Sequence, residues 1–359
     1  MVRLTRAQRQ ERTRTSVLAA AREEFTEHGY ALAKVDRIAE RAELTRGAVY
    51  SNFASKRALY LAVLIDMVEP ATTGEPSAAP SSLADALGMF ARTWLERLPL
   101  TGDTASGGRL QLRSLVGVLD DEHGRTVLAQ VARLEALLLA TALESYAPSV
   151  RRVRLAELVL TLLDGSVHLA DTAPGFGDPF DLARACQHLA GIDLADTWAP
   201  SHLPYIAPAR PCADGWDPPT GLADQLSGDR VGFDAAGLVA VLGAGRLAAA
   251  EEAVRSARPG EQVTVVVVTA DPAEIGRLVR LRVTDLIGGL RRVFTPDAWQ
   301  RVRLVLDDEA LTASAIGLTA IGDGTEAAVR IQGGTILARA TGRGAAHAVS
   351  TASNRKATT

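Results

Sequence analysis

Thr45, Arg46, Tyr50, Ser51, Asn52 and Lys56 stand close together in the stretch 34–60, KVDRIAERAELTRGAVYSNFASKRALY. Their hydroxyl, guanidinium, phenol, amide and ammonium groups are the ones that reach base edges and phosphates of nucleic acid. No Ser/His/Asp constellation and no cluster with metal-ligand spacing occurs. No catalytic residue, metal or cofactor is therefore assigned, and no enzyme is expected. His123, His168 and His188 are isolated, and Cys186 and Cys212 form neither a metal-ligand spacing nor a disulfide framework.

A short scaffold must position these groups. Val35, Ile38, Ala39 and Ala42 recur at helical spacing and give one apolar face, with Asp36, Arg37, Glu40 and Arg41 on the others. The pattern breaks at Glu43-Leu44, and the Thr45 hydroxyl can cap a second helix anchored by Val49 and Phe53. Arg46, Tyr50, Ser51 and Asn52 are left to point elsewhere. Two short helices joined by a tight turn form the helix-turn-helix arrangement, whose second helix enters the major groove. Ser55 can cap a third helix through Leu59, Val63 and Val68 that stops near Pro70. Lys56 and Arg57 in its first turn oppose the helix dipole at a cost of up to about 1 kcal/mol. A phosphate docked there would reverse the sign; a solvated surface pair is the other reading. A longer helix with the stripe Val17, Leu18, Ala21 and Phe25 precedes the motif and ends near Gly29. Arg3, Arg6, Arg9, Arg12 and Arg14, at or before its start, serve either backbone or minor-groove contact with DNA or solubility alone.

Over roughly residues 7–70 the chain resembles the TetR-type (tetracycline-repressor-like) transcriptional regulators. The run IAERAELTRGAVYSNFASKRALY carries the likeness, with the aromatic pair Tyr50 and Phe53 and the Ser55-Lys56 step in place. The resemblance implies a homodimer on a palindromic double-stranded operator, and a helical second region that holds a small-molecule effector and forms the dimer interface. By position it implies that Thr45, Arg46, Tyr50, Ser51 and Asn52 face DNA, together with Lys34 at the start of the support helix. Lys56 would hold a phosphate, and Gly47 would allow a close approach to the backbone. Two positions depart from the pattern: Glu43 stands where the family usually has Gly, and Arg57 where it usually has an acid.

At 359 residues the chain is long enough for two or three domains, and about 150 residues lie beyond the usual length of such regulators. The net charge of −3 would not by itself suggest a nucleic-acid partner. Residues 1–60, however, hold 12 Lys/Arg against 7 Asp/Glu, a net of +5, which leaves −8 on the remainder. A basic head on an acidic body would orient towards DNA. The Arg-rich start lacks a hydrophobic signal core and no apolar run looks long enough to span a bilayer, so a soluble cytoplasmic protein without a membrane partner is expected. Abundant Ala, and Arg in place of Lys, hint at a high-GC bacterial genome.

Residues 1–195 are expected to be all-α: the head 7–70 (motif 34–53), a short Pro/Ser/Ala stretch 71–82, and a helical effector-binding and dimerisation region 83–195. Helical patterns cover 83–98, 108–119, 125–146, 150–170 and 180–190. Phe90, Trp94, Leu112, Leu134 and Leu138 are the candidate effector-pocket residues, although such residues are more often ordinary core. Leu158, Leu162, Gly165 and Leu169 are the candidate dimer face, by resemblance to the family's last two helices. The same face could instead close the monomer's own core.

A Pro-rich linker is expected over 198–232, then an extra small α+β domain over 233–342 with a mainly antiparallel sheet, and a disordered tail from 345 to 359. Residues 233–257 read as helix, 262–269 (QVTVVVVT) as a buried strand, and Asp271-Pro272-Ala273-Glu274 as a helix start. Glycine turns among 310–321, 326–332 and 335–340 suggest an antiparallel meander. Gly243-Ala-Gly245-Arg-Leu-Ala248 fits a dinucleotide-phosphate loop but also a break between helices. The leading reading is a ligand-responsive repressor. The alternative is a regulator fused to a catalytic or protein-interaction module.

Overall fold

The computed structural model describes residues 5–69, 79–96, 115, 117–173, 175–233 and 236–352. Arg3, Leu112, most of the expected helix 108–119 and the last residues of the tail lie outside them. Four helices build the N-terminal unit: α1 (Arg6–Leu32), α2 (Val35–Arg41), α3 (Arg46–Asn52) and α4 (Lys56–Val68). Thr5 and Gln8 close a capping box at the start of α1, and Gly29, at φ 68°, breaks its last turn. α5 (Leu83–Leu95), α6 (Glu122–Leu143), α7 (Val153–Thr172) and α8 (Pro179–Leu189) form the helical body, with α5 against α8 and α6 against α7.

The C-terminal part is a mixed six-stranded sheet in the order β1-β6-β5-β2-β3-β4. Its strands are β1 (Arg210–Gly215), β2 (Gly237–Gly243), β3 (Gln262–Val268), β4 (Val302–Leu306), β5 (Glu326–Gln332) and β6 (Thr335–Thr341). Between them run α9 (Ala249–Ser256), α10 (Arg277–Arg291) and α11 (Leu311–Ala315), with α12 (Ala345–Thr351) at the end. β2, β3 and β4 are parallel, whereas β1, β6, β5 and β2 pair antiparallel. Leu238, Ala240, Leu242, Val263, Val265 and Leu304 face one core, and Val239, Val241, Val266, Val268 and Val305 face the other. This is the two-residue alternation of a sheet buried on both faces.

Several expectations are corrected. The expected meander is only the β5–β6 hairpin, because 311–315 is helical and β4 joins β3 in parallel. The segment before Gly243 is strand, not helix: GLVAVLG is buried throughout, and such a run has no periodicity to separate the two states. The Pro-rich stretch 198–232 is not a bare linker. It contributes β1 as a sheet edge, where Pro211 and a bulge are tolerated, and it buries Trp216 and Leu226. The tail begins with α12, whose Ala345, Ala346, Ala348 and Val349 are buried.

The sheet is not clearly a separate small domain: its outer face has a core of its own, but its inner face shares the core of the N-terminal half. One hydrophobic core runs from Val17 and Phe25 in α1 through α4, α5 and α6 to α10 and the inner sheet face. α10 packs against α4, α5 and α6, and Gly289 lies where an added Cβ would be 3.8 Å from the Phe90 ring. Trp299 Nε1 donates to the Leu138 carbonyl at 3.1 Å, and the Ala248 amide donates to Gln130 of α6 at 2.9 Å. α6 with its following turn, Glu122–Tyr146, is long and apolar enough to cross a membrane by length and composition, contrary to expectation. Most of that apolar stretch, 61%, is buried inside the fold.

Candidate nucleic-acid interface

The recognition scaffold rests on one buried carboxylate. Glu24 of α1 is 0% exposed; its Oε1 accepts the Lys34 amide at 3.1 Å and its Oε2 lies 3.4 Å from Arg41. It therefore ties α1 to both ends of α2. Arg41 also reaches Glu27 at 2.5 Å and Glu23 at 3.3 Å. Hydrogen bonding to Arg41 holds the Glu27 carboxyl below the usual carboxylate range. Glu24, Glu27 and His28 bring metal-ligand atoms together, but Arg41 already supplies the counter-charge there.

The turn after α2 is a Schellman motif: the Leu44 amide donates to Ala39 O at 2.9 Å and the Glu43 amide to Glu40 O at 3.0 Å. Glu43 takes the left-handed conformation at φ 55°, so the turn keeps the geometry for which glycine is suited. Thr45 then caps α3 through the Ala48 amide at 3.2 Å. Val49 and Phe53 are buried and anchor α3 to the head's core.

Arg46, Gly47, Tyr50 and Ser51 are exposed on α3, and Asn52 is half-buried. The Arg46 guanidinium lies 5.5 Å from the Tyr50 ring centroid and 3.3 Å from Asp36. Both members of that ion pair are mostly exposed, so it holds Arg46 weakly. Ser51 Oγ and Asn52 Nδ2 donate to Ala48 O at 2.9 and 2.8 Å. The Lys34 side chain is exposed as α2 begins. Lys56 folds over the Tyr30 ring at 4.8 Å and donates to Ala31 O at 3.3 Å, and burial lowers its pKa.

Arg57 adds no free cation. It pairs with Asp121 at 2.9 Å and with Glu274 at 3.4 Å. Burial works against its charge, but those two carboxylates outweigh burial and raise its pKa. Glu274 also accepts from the Ser55 hydroxyl, while Arg277 lies over the Phe53 ring at 5.4 Å, as Arg14 does at 5.0 Å. Sequence reasoning missed Glu274 and Arg277 here. The inverted charge at Arg57 was the one signal, since an unusual cation implies an acid elsewhere.

The remaining candidates divide. Phe90, Trp94, Leu134 and Leu138 are buried in the core shared with α10. Leu158 is 37% exposed and Leu169 43%, Leu162 is half-buried, and nothing lies within 4 Å of a Cβ placed on Gly165. Together they form an open stripe along α7. The glycine loop 243–245 is filled by chain: a Cβ on Gly243 would lie 2.5 Å from Asp323 O and one on Gly245 2.9 Å from it. Those glycines make room for the 322–323 crossing and not for a phosphate. Asp323, in the turn at that crossing, accepts from Thr269 Oγ1 at 2.6 Å and pairs with His123 at 2.8 Å.

A capped recognition helix braced by two others defines a helix-turn-helix head. Residues 17–63 match the family of bacterial regulatory proteins, tetR family, so the chain carries a TetR-type N-terminal domain. The HTH-type transcriptional activator FasR of Mycolicibacterium smegmatis is 43% identical over 61 residues, 17% of this chain. That match spans 28% of the relative's own length. NalD, the secondary repressor of the MexAB-OprM multidrug efflux pump in Pseudomonas aeruginosa, is 22% identical with a TM-score of 0.31. The match covers 50% of this chain and 94% of NalD. A TetR transcriptional regulator from Rhodococcus sp. RHA1 is 20% identical with a TM-score of 0.31, over 52% of this chain and 99% of that one.

Proposed function

We propose that the protein is a cytoplasmic, DNA-binding transcriptional regulator that acts as a homodimer on a palindromic operator, as a ligand-responsive repressor. The observation that carries this reading is α3. Its polar and cationic residues Arg46, Tyr50 and Ser51 are exposed on one short helix, while Val49 and Phe53 anchor it to a braced scaffold. Dimerisation through α7 is supported by the open stripe Leu158, Leu162, Gly165 and Leu169, and by the strongly exposed Phe176 and Phe180 that follow α7 in the chain. A two-fold face is self-complementary, so one stripe serves both subunits. Repression needs only that the head occlude its site. A small-molecule effector would act by separating α5 and α6 from α10, because the candidate pocket residues are in contact there, and operator DNA should weaken effector binding by the same factor.

The test begins with the duplex that the full-length protein enriches from a randomised pool. Tyr50→Ala and Lys56→Ala are each expected to weaken binding to that duplex by about tenfold, which corresponds to loss of one base or phosphate contact. Affinity should fall steeply with salt as phosphate counterions are released. Leu158→Glu/Leu169→Glu should yield monomers by sedimentation. Enrichment of no duplex, or a flat salt response, would end the DNA-binding reading. A dimer that survives the α7 substitutions would end the interface assignment.

A further inference from the structure

Three regions distant in sequence meet at the first turn of α4. Ser55 Oγ accepts the Ala58 amide at 2.9 Å as the helix cap and donates to the Glu274 carboxylate. Arg57 joins Glu274 to Asp121, which itself caps α6 through the Gly124 amide at 2.7 Å. Glu274 sits in the π-helical turn Pro272–Gly276 that leads into α10, held by Asp271 through its own amide at 3.0 Å. Arg277 donates to the Ala58 carbonyl at 3.0 Å and stacks on Phe53, the residue that ends α3.

Each bond in this junction is directional, and together the bonds cross from head to body to sheet. Apolar burial is non-directional, whereas hydrogen bonds and ion pairs constrain orientation as well as contact. Ion pairs and hydrogen bonds at the N-terminus of α4 set its angle, and α4 carries α3 with it through Phe53. On the reading that α3 meets DNA, we infer that Glu274 and Arg277 are positioning residues for DNA binding. They hold the head at its working angle, so the sheet region is part of the DNA-binding machinery. Arg57 is their receiver: a cation at that position gives Glu274 a partner on the head and Asp121 a partner on the body.

The inference is tested in the full-length protein with the duplex that wild type enriches from a randomised pool. Glu274→Gln preserves size and Arg57→Lys preserves charge. Glu274→Gln and Arg57→Gln are each expected to raise Kd roughly fivefold, and the double variant to be no worse than the weaker single, because groups in one network do not act additively. Arg57→Lys should bind nearly as wild type. The slope of log Kd against log salt should not change in Glu274→Gln, since that carboxylate touches no phosphate. Without DNA, backbone amides of residues 56–60 should exchange faster in Glu274→Gln at an unchanged melting temperature. Wild-type affinity, additive losses or unchanged exchange would overturn the inference. Tighter binding by Glu274→Gln would do the same, by showing that the carboxylate merely repels DNA. A wild-type protein that enriches no duplex defeats the DNA-binding reading itself, a result separable from all of these.

Discussion

At the residue scale, local geometry explains positions that composition leaves ambiguous. Glu43 occupies a left-handed turn at φ 55°, where a side chain crowds its own backbone. Glu43→Gly is expected to raise stability by about 0.5–1 kcal/mol, measured as a higher urea midpoint at unchanged m-value. An equal or lower midpoint would show that the Glu43 side chain contributes more than the strain it brings. Asp121 has a pH signature. The Gly124 amide and then Arg57 hold its carboxyl below the usual carboxylate range. A depressed folded-state pKa gives stability that is present above the ordinary aspartate value and lost as pH falls through the folded one. The contribution of Asp121 should therefore persist from neutral pH down to about pH 4 and be lost below that. Asp121→Asn should flatten the acid limb of the urea midpoint against pH; a parallel curve would remove Asp121 from the account. Lys56 and Thr45 could be singled out from type and spacing, because a cap or a first-turn cation is defined within a few residues. Glu274 could not, because nothing near it in sequence says that its carboxylate reaches Ser55.

At the element scale, α4 and α10 explain each other. Ala58 to Ile65 of α4 are buried without a break, and α10 is buried from Leu278 to Leu290 on nearly every side. A helix apolar around its whole girth must be covered all round. α4 has α1 on one side and α10 on another. An ion pair is enclosed where α10 meets α6: Arg282 of α10 makes two bonds to the buried Glu135 of α6, at 2.9 and 2.8 Å, and lies 3.6 Å from Asp164 of α7. Arg282→Met removes the guanidinium that neutralises Glu135 and should cost about 3–5 kcal/mol. Arg282→Met/Glu135→Leu should recover most of that loss, since apolar replacement of a buried pair is close to neutral. Chemical denaturation of both variants checks the pair; a small loss in the single variant would mean that water reaches the site. The sequence alone shows α4 as an apolar helix without a polar face. What covers that face lies more than two hundred residues away, beyond any periodicity argument.

At the scale of the whole molecule, the shared core changes what truncation means. A linker over 198–232 would let a regulator lose its C-terminal part harmlessly. Because α10 packs on α4, α5 and α6, and Trp299 and Ala248 bond to α6, ending the chain near residue 215 uncovers apolar faces of the head and body. Such a truncation is expected to aggregate or lose cooperative melting, whereas a separable module would leave a soluble N-terminal part with a sharp transition. The fold lessens the charge division of the sequence: the +5 of residues 1–60 includes exposed Arg46, but the Arg57 charge is balanced by Asp121 at the start of α6 and Glu274 in the turn before α10.

The sequence by itself determined the head. Its caps, its turn and its apolar spacing are interactions between residues a few positions apart, and they are written in order along 34–60. It also showed that more chain follows than the head and helical body require. Only the tertiary structure decided that GLVAVLG is a central strand, that the glycine loop after it is filled by backbone, and that the sheet region grips the head through Glu274 and Arg277. The physical reason is range. Hydrogen bonds between residues 219 positions apart leave no local pattern, and burial on all sides looks the same in a helix and in a strand until the partners are in place.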